Sequence, residues 1–132
     1  MPKHDPQMLK GALGLLLLHL VSAQEDYGYA IVVRLQEHGF SDLSEGTVYP
    51  ALSRLETQGL LEARLVRSAS GPARKYYRPT GAGLVEMERA SQMWHRLVST
   101  VAQIVPPPVE TSERTAPPEV TTPESRPGKD VR

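Results

Sequence analysis

Between Pro6 and Ser22, residues Met8, Leu9, Ala12, Leu13, Leu16, Leu17 and Leu20 recur at helical spacing, and this wide apolar face predicts a nearly buried first helix. A second helix is predicted over about Tyr27 to His38. Asp26 can cap it, Ile31 and Leu35 lie four apart on its inner side, and Gly39 supplies a left-handed stop. After a link containing Phe40 and Leu43, a third helix carries the buried stripe Val48, Leu52 and Leu55 and ends at Gly59. Ser44 or Thr47 can cap it. Pro50 lacks the N–H that a helix interior needs, which favours a start near Gly46 or Thr47, so that the proline falls in the first turn.

From Leu60 the period changes. Leu61, Ala63 and Leu65 alternate against Glu62, Arg64 and Arg67; a loop of Ser68-Ala69-Ser70-Gly71-Pro72 follows, and then Lys75 to Arg78 with two tyrosines, which predicts a β-hairpin closed by Pro79. Thr80 can cap a fourth helix running to about Val105, where Pro106-Pro107-Pro108 stops it. In that helix Met87, Trp94 and Val101 fall seven apart, and Ala90, Leu97 and Ile104 follow each by three. Such a heptad stripe needs a partner, and with the other helices occupied by one another, a second copy of the chain is the economical one. The expected fold is therefore mainly α with a small β-hairpin: a winged helix-turn-helix over residues 1–80, a dimerisation helix over 81–105, and a tail over 106–132.

Composition bears on the tail and on location. The stretch 106–132 holds seven of the twelve prolines, no aromatic residue, and only Val109, Ala116, Val120 and Val131 among apolar types, so it is expected to be disordered. The absence of cysteine excludes disulfides and suits a reducing cytoplasm. The apolar run from Ala12 to Val21 falls short of the about 18 to 20 residues that cross a bilayer, and no signal-peptide cleavage pattern accompanies it. A cytoplasmic protein that makes no use of a membrane is the expectation. His4, His19, His38 and His95 are too scattered for a metal site, Glu86 and Glu88 read as a solvated face, and no nucleophile–base pair or phosphate-binding glycine loop appears. Neither an enzyme nor a cofactor is expected.

The formal net charge is zero, which argues mildly against a nucleic-acid partner; its distribution argues the other way. From Arg64 to Arg78 there are five basic residues and no acidic one. Three helices and a hairpin give the winged helix-turn-helix order, in which the third helix enters the major groove and the hairpin reaches along the backbone. Opposite the buried stripe, the third helix carries Gly46, Pro50, Ser53 and Thr57, flanked by Thr47, Tyr49 and Arg54, all small or hydrogen-bonding residues suited to close approach to DNA.

The sequence Tyr27-Gly28-Tyr29, then Gly46-Thr47-Val48-Tyr49-Pro50-Ala51-Leu52, Arg54-Leu55-Glu56 and Gly59-Leu60, then Gly71-Pro72 and Arg74-Lys75-Tyr76-Tyr77, resembles the PadR family's pattern in order and spacing over roughly Leu9 to Gly83. The single following helix is similar to that of the family's shorter subgroup, whose last helix makes the dimer. The resemblance implies a transcriptional repressor, bound to an inverted-repeat operator and released when a small aromatic or drug-like effector binds near the dimer interface. The family usually has leucine where Pro79 stands, a departure that could shorten the second strand by a residue.

The expected DNA contacts are Gly46, Thr47, Tyr49, Pro50, Ser53, Arg54, Arg74 and Lys75. Each has a plainer competitor. Tyr49 could simply pack beside the wing, Arg54 could be held in a surface ion pair near Glu56, and Arg74 and Lys75 could be an ordinary solvated pair, although they face no acidic neighbour in sequence. Trp94 either packs against the partner or stacks on a flat effector. The expected dimer interface is Met87, Ala90, Trp94, Leu97, Val101 and Ile104. A winged-helix module that docks on protein and never meets DNA is the alternative, and the zero net charge suits it.

Overall fold

The computed structural model describes residues 4–109, which run in the order α1 (Pro6–Ala23), β1 (Asp26–Tyr27), α2 (Gly28–Glu37), α3 (Glu45–Thr57), β2 (Leu61–Ser68), β3 (Gly71–Pro79) and α4 (Gly81–Ile104). The described residues divide into two units, 4–97 and 98–109. From residue 110 onward the expected disordered tail lies outside the described residues.

The core of the first unit is built from one side each of three helices, closed by the sheet. Leu13, Leu17, Leu18 and Val21 of α1 meet Ile31, Val32 and Leu35 of α2, Val48, Ala51, Leu52 and Leu55 of α3, then Leu43, Leu61 and Tyr77. The buried side of α1 is rotated from the expected one. Met8 is 79% exposed, while Leu18 and Val21 are buried; Met8, Ala12, Leu15 and Leu16 instead line an outer groove with Phe40 and Trp94. α1 has the length and composition to cross a membrane, unlike the shorter run considered from sequence, yet its inner residues belong to this core.

Local chemistry sets the ends of the helices. Asp5 caps α1 by accepting from the N–H groups of Gln7 and Met8 at 2.9 and 3.2 Å. Gly39 (φ +108°) and Gly59 (φ +79°) supply the left-handed turns expected after α2 and α3. Asp26 does not cap α2. Residues Asp26 and Tyr27 form a short strand, the Asp26 carboxylate accepts from the N–H of Tyr27, and the N-cap of α2 is Tyr27, with no side-chain cap. The other Asp26 oxygen lies 3.3 Å from Arg34, whose guanidinium also donates to the carbonyls of Leu20 (2.8 Å) and Gln24 (3.1 Å). One arginine of α2 thereby satisfies the open end of α1 and the buried carboxylate of β1.

α3 also starts earlier than expected. Its N-cap is Ser44, whose carbonyl accepts from Val48 N–H at 2.9 Å, so Pro50 sits inside the helix, not in its first turn. The proline ring leaves the Gly46 carbonyl without its usual intrahelical donor.

The sheet has three antiparallel strands in the order β1-β3-β2, with Asp26 opposite Tyr77, Ala63 opposite Tyr77 on the other side, and an irregularity between Val66 and Ser68. Pro79 does not shorten β3, since it is that strand's last residue and pairs with Leu61. The alternation predicted for β2 holds only near its base. Leu61 is buried, but Leu65 is 72% exposed, because the outer half of the hairpin extends past the core.

α4 is docked at its first turn. Thr80 donates its hydroxyl to the Gly59 carbonyl at 2.6 Å and accepts from Gly83 N–H at 2.9 Å, so the expected cap also fastens α4 to the end of α3. A Cβ on Gly83 would overlap the Leu60 carbonyl oxygen, whereas one on Gly81 would meet nothing. Replacing Gly83 by alanine should cost about 1–3 kcal/mol of stability in urea unfolding, a typical overpacking penalty, with Gly81→Ala as the near-neutral control.

Candidate nucleic-acid interface

With Val48, Ala51, Leu52 and Leu55 buried, helical geometry turns Gly46, Pro50, Ser53 and Thr57 outward, and all four are exposed. This outer strip carries no charge. Its two flanks differ. Thr47 and Arg54 lie on the side toward α1, where both line a groove with Lys10 and Leu13. Tyr49 and Glu56 lie on the side toward the hairpin. Arg54 is not held by Glu56, and among the described residues it has no carboxylate partner.

Glu56 is taken by the wing. Its Oε1 lies 3.0 Å from Lys75 Nζ, which corrects the expectation that Lys75 faces no acidic neighbour. This hydrogen bond holds the Lys75 ammonium above the ordinary lysine range. Two other cations of the basic stretch are also engaged, Arg64 with Glu25 at 2.7 Å and Arg78 with Glu62 at 2.9 Å. The Arg64 guanidinium keeps the Glu25 carboxyl below the usual carboxylate range. Arg67 and Arg74 have no carboxylate partner among the described residues. Arg74 instead sits 4.5 Å from the centre of the Tyr27 ring, a cation–π contact that leaves its guanidinium edges available.

Between α3 and the wing, Tyr27, Gly28, Tyr29, Tyr49, Arg74 and Tyr77 line a groove of about 300 Å³. Lys75 lines it as well, and of these residues sequence reasoning singled out Tyr49, Arg74 and Lys75. Tyr27, Tyr29 and Tyr77 were missed as a group because they come from three elements, and only the pairing of β1 with β3 brings Tyr27 beside Tyr76 and, through it, beside Arg74. The Tyr27-Gly28-Tyr29 run was a signal available in the sequence. Gly28 has a packing reason to be there, since a Cβ would come within 2.8 Å of the Tyr49 ring. Tyr49 is 41% exposed, packing beside the wing on one side, as one of the readings drawn from sequence has it, and open to solvent on the other. Burial, with the nearby Glu45 carboxylate, raises its phenol above the usual tyrosine range.

α4 presents Trp94, Leu97, Val101 and Ile104 at exposures between 43% and 82%. Met87 departs from the expected stripe, because it packs against the core of its own chain.

Residues 17–89 match the family model described as "Transcriptional regulator PadR-like family". The chain is similar to the transcriptional regulator Rv3488 of Mycobacterium tuberculosis, at 40% identity over 84 residues, covering 61% of this chain and 77% of that protein. Among solved structures it is similar to a PadR-like transcriptional regulator from Bacillus cereus, with 40% identity and a TM-score of 0.69, covering 77% of this chain and 99% of the other. A PadR family regulator from Eggerthella lenta aligns with 35% identity and a TM-score of 0.69, covering 75% and 86%.

Removing the snug seat of Tyr49 should be visible in ultraviolet titration. In wild type one phenol ionises above the ordinary range and is assigned by its loss in Tyr49→Phe. In Gly28→Ala, whose new methyl displaces that ring, the same phenol should shift down toward the ordinary tyrosine value of about 10.

Proposed function

Because the chain belongs to the PadR-like family of transcriptional regulators, we propose that it is a sequence-specific DNA-binding repressor that docks on its operator as a homodimer. The observation that carries this reading is the exposed, uncharged outer strip of α3, bordered on one side by Thr47 and Arg54 and on the other by Tyr49 and the wing cations. Such a strip can enter a major groove without the desolvation cost of buried charge, and the flanks stand where backbone phosphates would pass. Residues 1–80 form the reading part, with Gly46, Pro50 and Ser53 nearest the bases and Thr47, Tyr49, Arg54, Arg74 and Lys75 on phosphates. Lys75 reaches DNA by exchanging Glu56 for a phosphate. A surface ion pair of this kind contributes about 0–1 kcal/mol, so a phosphate competes with it readily.

The helix over 81–105 joins two copies. Trp94, Leu97, Val101 and Ile104 would be covered by the same helix of a second chain, with Ala90 at the seam and the outer side of α1 beside it. Two copies related by a two-fold axis read an inverted repeat with half-sites about one helical turn, roughly 34 Å, apart. A small aromatic effector stacked on Trp94 would act at this seam and release the DNA. The protein works in the cytoplasm and has no catalytic role.

The pairing of Lys75, Arg64 and Arg78 with carboxylates of the same chain is what favours the second reading, a winged-helix module that docks on protein. Fragments selected from genomic DNA by the purified protein decide between them. Repressor function predicts enrichment of a palindromic site whose log affinity falls with log salt by about 0.9 per phosphate neutralised, and Arg74→Ala with Lys75→Ala, which removes two contacts from each chain of the dimer, should shallow that slope by about 3.6. Absence of any enriched site favours the docking module.

Dimerisation is tested separately by sedimentation equilibrium, in which wild type should run at twice the chain mass of 14.5 kDa and Leu97→Glu with Val101→Glu at the chain mass itself.

A further inference from the structure

On the α1 side of α3 lies a groove of about 480 Å³, which adjoins the Trp94 groove at His4 and Leu9 and is separate from the tyrosine groove beside the wing. Its floor is apolar, formed by Leu9, Leu13, Leu43, Ala51 and Leu55. Gly14 belongs to the same floor, and the nearest atom to a Cβ built there is Leu55 Cδ2 at 3.9 Å, so the missing side chain deepens the floor without opening a gap in the core. The volume falls within the range of about 300–1,000 Å³ that holds small organic ligands.

The rim gives the groove its chemistry. Lys10 and Arg54 stand on it from opposite helices, both are exposed, and neither has a carboxylate partner among the described residues. One carboxylate, Asp42, shares the rim, but His4 occupies it, donating its backbone N–H at 3.0 Å and setting its ring nitrogen 3.4 Å away. Two cations without a carboxylate partner among the described residues, over a leucine floor whose lining carboxylate, Asp42, is engaged, complement an apolar body that carries one negative group. We propose that the groove between α1 and α3 binds an amphipathic organic anion, its ring or chain on Leu9, Leu13 and Ala51 and its anionic group between Lys10 and Arg54. A cation on a flexible stem suits this task, because the apolar body fixes the position and the charge selects the anion over its neutral counterpart.

The consequence for the operator rests on the reading of the previous subsection: an anion that occupies Arg54 removes one of the cations assigned to phosphate. The site itself does not depend on that reading, so its test contains no DNA.

The experiment is a titration of the full-length, isotope-labelled protein with 8-anilinonaphthalene-1-sulfonate, followed by amide and methyl chemical shifts. Saturable shifts are expected at Lys10, Gly14, Leu43 and Thr47. In Lys10→Gln with Arg54→Gln the affinity read at those residues should fall about tenfold or more, as expected for loss of hydrogen bonds to a charged group. Both positions are exposed, so the variant should keep the wild-type spectrum elsewhere. N-phenyl-1-naphthylamine, the same ring system without the sulfonate, should bind the groove more weakly and be indifferent to the double substitution. The proposal is overturned if the sulfonate moves only residues around Leu16 and Trp94, if its affinity at Gly14 and Leu43 is unchanged in the double variant, or if no saturable shift appears.

Discussion

The seating of α3 on its own molecule governs the rest of the architecture. Val48 and Leu52 are essentially inaccessible, and Ala51 and Leu55 nearly so. Burying side chains of this kind yields about 1.5–3 kcal/mol each for the larger ones, which fixes the rotation of the helix about its axis more firmly than any polar contact on its surface. Once the rotation is fixed, the other positions have no freedom. Gly46, Pro50, Ser53 and Thr57 must look outward, Tyr49 and Glu56 must meet the hairpin, and Thr47 and Arg54 must look along α1. The three surfaces discussed above are thus consequences of one packing decision.

The polar contacts around that core act as fasteners. Arg34 closes the end of α1 and holds the buried Asp26; Thr80 ties the end of α3 to the beginning of α4; Lys75 and Glu56 hold the hairpin against α3. They differ in exposure, and so in how they respond to solution conditions. The Asp26–Arg34 pair is largely shielded from water, whereas Lys75 and Glu56 are open to it and screened by salt. The hairpin's lean against α3 is therefore the most sensitive of these three fasteners to ionic strength.

Local signals carried much of this fold in the sequence. Gly39 and Gly59 marked the two helix stops, the leucine periods found the helices, and the change to alternation at Leu61 found the hairpin, because each of these depends on neighbours close in the chain. What escaped depends on residues far apart. The two-residue strand at Asp26 exists only because β3 lies beside it, and Asp26 read alone resembles a helix cap. Lys75 looked free because Glu56 is nineteen positions away in sequence. The rotation of α1 was ambiguous because leucines occupy nearly all its sides, so both Leu16 and Leu18 fitted a core face. Pro50 was placed in a first turn by a rule about lost hydrogen bonds, and α3 accepts that loss to gain an extra turn at its start. The outer strip of α3 and its flanking Thr47, Tyr49 and Arg54 were legible; the tyrosines that gather around Arg74 were not.

That accepted loss leaves something behind. Since position 50 has no N–H to give, the carbonyl of Gly46, a residue exposed on the outward strip, keeps an unused lone pair. It is an acceptor that belongs to the main chain, and base edges that present amino groups, adenine and cytosine, are its natural complements. Truncating the other side chains of α3 would leave this atom untouched, and only exchange of the imino acid itself would silence it. If α3 reads DNA as proposed, a code drawn from side chains alone would omit this main-chain acceptor.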